Sequence, residues 1–413
     1  MGYGHGKRRL AERDSGHDME NAKRREVNGQ FLKFVILSVS LVTMVNNTIS
    51  VELGSIQEAF PEASTVELQS LLAYPTLSMT IFVLISGVCV SYFGNKLILL
   101  TGVFLFTAAG VLPIFLDDFQ KILAARFVMG MGTGIFFPLA LGLITDFYEG
   151  EERAAAMGQQ FAVGNFGQMS ALLATGLLSS ISWRYGFLVY ALGGAVFLLI
   201  LFFLPDKPKK QKEEKKKVRI SKKAFGVGVI MAFYNMIYLV MYSNVSLVMK
   251  AEHIGTAMTV SLSMALMTLI SALSGVWFGK LYSVIGEWVG FASGMAVAVS
   301  FAMLIIADQP WMIYVALAFL GVGNALIMPY GYYHTSKAST PESTKLSLAV
   351  TQALLSLGSF SSPFVIDILR RILSQNGDRF PFAAALAGMG ILNTLLLIKC
   401  LTARKEGEQK CVF

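Results

Sequence analysis

The chain has 413 residues, 54% hydrophobic and 15% charged, with a mean hydropathy of +0.60. Soluble domains carry about 45–50% apolar and about 25% charged residues, so a water-soluble globular class is excluded. The net charge of +8 is distributed as a topology signal, not as a nucleic-acid patch.

In chain order, residues 1–30 form a polar tail of mixed charge rather than a signal peptide. Apolar spans then fall at roughly 31–51, 68–91, 97–116, 119–146, 155–180, 185–204, 224–249, 258–283, 287–307, 311–335, 344–369 and 381–402. Each is near or above the ~20 residues that a helix needs to cross a ~30 Å hydrocarbon core. The expectation is an all-α membrane protein of twelve transmembrane helices. Cys89, Cys400 and Cys411 offer no disulfide framework, zinc spacing or four-residue prenylation box.

With both termini placed in the cytoplasm, 27 of the 34 lysines and arginines fall on that side, as the positive-inside bias requires. Arg370, Arg371 and Arg379 run against it. The localisation expected is the plasma membrane, multi-pass.

Between spans six and seven lies PDKPKKQKEEKKKVRISKK (205–223), a basic linker near anionic headgroups. It separates a first half, 31–204, from a second, 224–402, followed by a tail, 403–413. The halves share punctuation. GVCVSYFG (87–94) matches GKLYSVIG (279–286) at offset 192, and GMGTGIFFP (130–138) matches GVGNALIMP (321–329) at offset 191. Such duplication is typical of transporters whose site lies between two repeats. Two pseudo-symmetric six-helix bundles are expected.

The motifs now support a family resemblance. GVCVSYFGNK (87–96) resembles the helix two–three motif of the major facilitator superfamily, with Ser91 in place of its acidic residue and Asn95 in place of a base. RFVMGMGTG (126–134), DFYEGEERAAAMG (146–158) and SWRYGF (182–187) are similar to that family's fourth-helix motif, its continuation into helix five, and its turn before helix six. The resemblance covers 30–402, of a bacterial drug- or metabolite-transporter type, and implies that Gly87, Ser91, Gly94, Lys96, Asp146 and Arg153 form an inner gating motif. The glycine–proline motif of proton-coupled drug exporters is missing from GNFGQMSALLATG (164–176).

Polar groups inside spans need a reason, because a central charge costs ~2.5–3.5 kcal/mol on insertion scales. Arg126, Gly130, Gly134 and Pro138 step by four along one helix face, and glycines at that spacing turn the face toward protein. Arg126 therefore needs a buried acceptor. Glu52, at the outer end of helix one, is the expected partner; a substrate carboxylate is the alternative. Substrate-binding candidates are Asn46, Asn47, Arg126, Gln168, Asn235, Tyr238, Tyr242, Asn324, Gln352 and Ser356. Coupling candidates are Glu52, Arg126 and Asp367, since no carboxylate falls at a midplane. His334 is the one histidine at a span end.

No clustered nucleophile, metal set or acid–base set appears, so an enzyme, a cofactor and a metal are not expected. The reading is a monomeric secondary transporter of a small organic solute, anionic or amphipathic, working by alternating access and coupled to protons. A multidrug or metabolite efflux antiporter and a transport-inactive scaffold of the same fold are the alternatives. The partners expected are the solute, protons and the lipid bilayer, with no nucleic acid.

Overall fold

The computed structural model describes residues 34–42, 45–93, 95–147, 150–204, 221–340, 343–375 and 377–405. Twelve long helical segments follow one another, and no strand occurs among the described residues. They are α1 (Phe34–Ala59), α2 (Thr65–Phe93), α3 (Asn95–Val111), α4 (Phe119–Phe147), α5 (Gly150–Ser179) and α6 (Trp183–Phe203). After the linker come α7 (Lys222–Ala251), α8 (Ala257–Val276), α9 (Trp288–Ile306), α10 (Pro310–Lys337), α11 (Thr344–Ile372) and α12 (Phe380–Lys405).

Among the described residues, eleven helices are long and apolar enough to cross a membrane by length and composition.

We call the end of the bundle that carries residues 60–64 and 373–379 the distal face, and the opposite end, where α1 begins and α12 stops, the proximal face. α1 is longer than expected. It continues as a 3₁₀ segment over Val45–Glu52 and an α-helical segment over Leu53–Ala59. Glu52 therefore lies seven residues inside the helix end, about 10 Å at 1.5 Å rise per residue, rather than at its tip.

Lipid tails are as apolar as leucine, so packing between membrane helices depends on close backbone approach. The two glycine motifs provide it. A methyl group on Gly132 would lie 2.5 Å from the Phe106 amide nitrogen of α3, and one on Gly134 would lie 2.5 Å from the Met79 carbonyl of α2. Gly130 meets Pro75 and Ser78 of α2 just as closely. In the second half, Gly321 faces the Met267 carbonyl of α8 at 2.6 Å, and Gly323 faces the Ser293 carbonyl of α9 at 2.8 Å. Offset 191 thus carries Gly130 on α2 to Gly321 on α8, and Gly132 on α3 to Gly323 on α9.

A second duplication was not visible as a motif. Arg184, at the start of α6, donates to the carbonyls of Ile114 (3.2 Å) and Leu116 (2.8 Å) just beyond α3 and to Asp117. Arg379, just before α12, donates to the carbonyls of Ile305 (2.5 Å) and Ala307 (2.6 Å) at the end of α9 and forks onto Glu252. The carbonyls again differ by 191. Each arginine satisfies the orphan acceptors of a helix C-terminus. This gives Arg379 a local reason to sit against the charge bias.

The candidate coupling site and the distal gate

Arg126 is fully buried, the largest side chain among the described residues to be so. The glycine face of α4 brings it against α2, and its planar fork is spent on neutral acceptors. Nε donates to the Leu71 carbonyl at 2.9 Å, one terminal nitrogen to the Tyr190 hydroxyl at 2.9 Å, and the other to the Asn46 carbonyl at 2.9 Å. The guanidinium also lies 5.3 Å from the Tyr190 ring centroid. Asn46 in turn accepts from Thr133 at 3.2 Å.

Glu52 is equally buried, yet no ion pair joins it to Arg126 among the described residues. The expected direct contact is replaced by an indirect one. Ser179, the last residue of α5, donates to Glu52 Oε1, whereas Oε2 is buried without a hydrogen-bond partner. Gly186 is pressed against the carboxylate so closely that no Cβ fits. One turn further along this segment, Tyr190 takes the arginine's bond and another from Thr48 at 3.3 Å, one turn before Glu52. Two short segments, Thr48–Glu52 and Gly186–Tyr190, therefore hold the two charges apart but linked. Sequence reasoning missed Ser179, Gly186 and Tyr190; the fragment SWRYGF marked their neighbourhood only as a turn.

Glu52 belongs to a layer where the two halves meet. From α1, the Gly54 amide donates to Ser246 Oγ of α7 at 3.1 Å, and Ser246 donates to the Val51 carbonyl at 2.7 Å. Gln69 of α2 donates to Asn244 of α7 at 2.8 Å, and Ser261 of α8 donates to the Leu172 carbonyl of α5 at 2.6 Å. Lys250 pairs with Glu58 at 3.1 Å. All of these lie toward the distal face, so that face is shut.

The remaining candidates divide. Tyr234, Tyr238 and Tyr242 form a ladder along α7, with ring centroids 6.0 and 5.6 Å apart, and Gln168 of α5 reaches the Tyr242 hydroxyl at 3.5 Å. Asn47, on α1, is half-buried, and Ser356, on α11, is buried. Other residues tie helices together. Asn235 donates to the Leu355 carbonyl and to Ser359 of α11, at 2.9 and 2.6 Å, Asn324 accepts from Tyr234 at 3.0 Å, and exposed Gln352 accepts from Tyr332 at 2.5 Å. Asp367 pairs with Arg371 at 2.9 Å. Of the inner gating motif, Lys96 is half-buried; Gly94 and the side chains of Ser91, Asp146 and Arg153, with the surroundings of Gly87, lie outside the described residues.

On the proximal face a second cluster joins α9, α10 and α12. Glu287 accepts from Tyr330 at 2.6 Å and from Tyr282 at 3.1 Å, and it pairs with His334 and Lys399, each at 3.1 Å. Burial works against the ionised carboxyl, but the bonds from His334 and Tyr330 and the charges of His334 and Lys399 outweigh it and hold Glu287 well below the usual carboxylate range. The same environment pushes the Tyr282 phenol up, through burial first and then Glu287.

A duplicated helix-packing seam, a buried fourth-helix arginine and a shut face between two halves now stand together. The description "Major Facilitator Superfamily" matches residues 29–363. The chain belongs to the major facilitator superfamily. It is therefore a multi-pass membrane protein of a transporter family rather than an enzyme.

Among superfamily relatives, the quinolone resistance protein NorA of Staphylococcus aureus is 25% identical over 352 residues, 79% of this chain and 86% of that protein. The uncharacterised MFS-type transporter EfpA of Mycobacterium tuberculosis is 30% identical over 161 residues, which is 39% of this chain but only 30% of EfpA's length. A solved structure with the same fold is a bacterial homolog of the human lysosomal transporter Spinster, inward-facing and unoccupied, with a TM-score of 0.74 at 14% identity, covering 92% of this chain and 98% of that one.

Proposed function

We propose that this protein is a secondary transporter that moves a small organic solute by alternating access, coupled to protons through Glu52. The observation that carries the reading is a fully buried carboxyl, with one oxygen unpartnered, inside the layer that shuts the distal face. An unpaired buried carboxylate is costly, and one proton removes that cost. A change of charge at Glu52 would be felt at once by Val51 and Gly54, which bond Ser246 of the opposite half. Arg126, linked through Tyr190, would bias the carboxyl without neutralising it.

The two halves, 31–204 and 224–402, would rock about the Tyr234–Tyr238–Tyr242 ladder and Gln168, where an amphipathic solute can stack and hydrogen-bond. The positive-inside bias supports a proximal face and both termini on the cytoplasmic side of a plasma membrane. The name of NorA favours efflux of an amphipathic compound over uptake as the direction, despite the missing helix-five proline.

The test is transport of a fluoroquinolone and of a metabolite panel in proteoliposomes under an imposed pH gradient. Wild type should accumulate substrate in proportion to the gradient and stop on adding a protonophore. Glu52→Gln, nearly isosteric and still able to accept from Ser179, should retain substrate exchange but lose the response to the gradient. Wild-type accumulation that ignores the gradient would remove the coupling. No movement of any solute would leave the scaffold reading in its place.

A further inference from the structure

At the proximal face, one nitrogen of the Glu287 cluster has two neighbours that require opposite things of it. His334 Nε2 lies 3.1 Å from Glu287 Oε2 and 3.2 Å from Lys399 Nζ. The carboxylate can only accept and the ammonium can only donate. Nε2 therefore serves Glu287 when it carries a proton, or Lys399 when it does not, but never both at once. The carboxylate is contested as well. Oε2 is approached by Tyr330 at 2.6 Å and by His334 and Lys399, each at 3.1 Å. That is three donors for an oxygen with two lone pairs. The Lys399 side chain is 43% exposed, so of the three it is the one with a path to water.

We propose that His334 is a proton-operated switch, which hands Glu287 from Lys399 to the imidazole and so loosens the proximal end of α12 from α9 and α10. In the neutral form the ring proton sits on Nδ1, Nε2 accepts from Lys399, and the ammonium bridges His334, Glu287 and Tyr330. A second proton turns Nε2 into a donor to Glu287. It also sets two cations 3.2 Å apart, so Lys399 withdraws. Burial works against the ionised Glu287, yet the bonds from His334 and Tyr330 and the charges beside it hold its carboxyl well below the usual range, so it stays charged throughout. The other groups around the ring are Tyr330 and Tyr333 of α10, Tyr282 of the segment before α9, and Cys400 of α12. Exposed Lys337 follows one turn on, and α11 meets this end of α10 through Thr351, which does not titrate. The side chains of Glu342, Lys345, Arg404 and Lys405 lie outside the described residues. Among these side-chain types only an imidazole ordinarily changes charge between pH 5 and 8. The switch needs neither the coupling role of Glu52 nor transport. Its effect on the cycle does rest on the transport reading: α10 also carries Asn324, which accepts from Tyr234 of the ladder, so the seating of α10 reaches the proposed solute path.

The experiment compares melting temperatures of the purified full-length chain in detergent, at constant ionic strength, at about pH 8 and about pH 5.5. Lys399→Met should lower the melting temperature at the higher pH, where the ammonium bridges the cluster. At the lower pH that penalty should be lost. In a His334→Gln background, whose amide does not change charge, Lys399→Met should carry the same penalty at both pH values. A penalty that ignores pH in the wild-type background overturns the proposal, and so does a pH-dependent penalty that persists in His334→Gln. A second measurement does not depend on either variant folding. The chain has four histidines, so His5→Gln, His17→Gln and His253→Asn together leave a single imidazole. Asparagine is chosen at 253 because that residue has a positive φ of 56°, which asparagine tolerates. In the nitrogen NMR spectrum of this variant, Nε2 should be unprotonated at about pH 8 and protonated at about pH 5.5. A proton on Nε2 at the higher pH would leave Lys399 without that acceptor and overturns the proposal, as does a ring whose protonation is the same at both.

Discussion

Arg126 shows how one charge is kept inside a membrane domain without a countercharge in contact. Its three donors end on two helix carbonyls and a tyrosine hydroxyl, so its planar fork, more than its charge, is what the site requires. Arg126→Lys should therefore fail, although it keeps the charge, because one ammonium cannot span Leu71, Asn46 and Tyr190. Arg126→Met should fill the space but leave the Leu71 carbonyl without the arginine's donor, at about 1–3 kcal/mol for an orphaned buried group. A lower melting temperature in both variants, with transport lost in both, is the expected result; full activity in Arg126→Lys would show that charge alone suffices. Glu52 is the complementary case. Its carboxyl sits where Gly186 has no side chain to exclude it, and the glycine is needed for space, not for backbone conformation.

At the scale of elements, one close approach between the halves is α1 on α7. A methyl group on Gly54 would lie 2.8 Å from both the Ser246 carbonyl and Lys250 Cβ, so any larger side chain there must part the two helices. Gly54→Leu should open the distal face, read as faster maleimide labelling of a cysteine placed at Gln69, while Gly54→Ala should have a smaller effect. Labelling at the wild-type rate in Gly54→Leu would show that this contact does not hold the gate. The Glu287 cluster plays a different part, tying the proximal ends of α9, α10 and α12 into one unit. Its carboxyl is held below the ordinary value of ~4.3, so its stabilising contribution is complete above that pH and decays only as the pH falls toward the depressed folded value. The melting-temperature penalty of Glu287→Gln should shrink below about pH 4. A penalty that grows as the pH falls below that value would contradict the assignment.

At the scale of the whole molecule, the two halves repeat a mechanical plan and differ in chemistry. Both use a glycine pair on the fourth helix to seat the second and third, and both use an arginine to cap the third helix from the start of the sixth. The charged site is not repeated: position 317, equivalent to Arg126, is a buried leucine. Rigid-body rocking needs stiff halves and a separable interface. The packing seams within each half and the modest polar contacts between them, single hydrogen bonds and one exposed ion pair, suit that division, since an exposed pair is worth only about 0–1 kcal/mol.

The sequence by itself determined the helical membrane class, the number of long helices, the duplication and the special status of Arg126. Each of these depends on something local or periodic: apolar length, glycine spacing at i and i+4, or a charge inside an apolar run. It also singled out Glu52 and Arg126 together. The tertiary structure alone decided how they are related, because Tyr190, Gly186 and Ser179 enter from two other helices and no spacing along the chain encodes their meeting. The same holds for Arg184 and Arg379, whose equivalent acceptors are backbone carbonyls and leave no trace in residue identity. Helix existence follows from the apolar content of one segment. The site follows from where helix ends and breaks converge, and in lipid those are set by close packing between segments far apart in the chain.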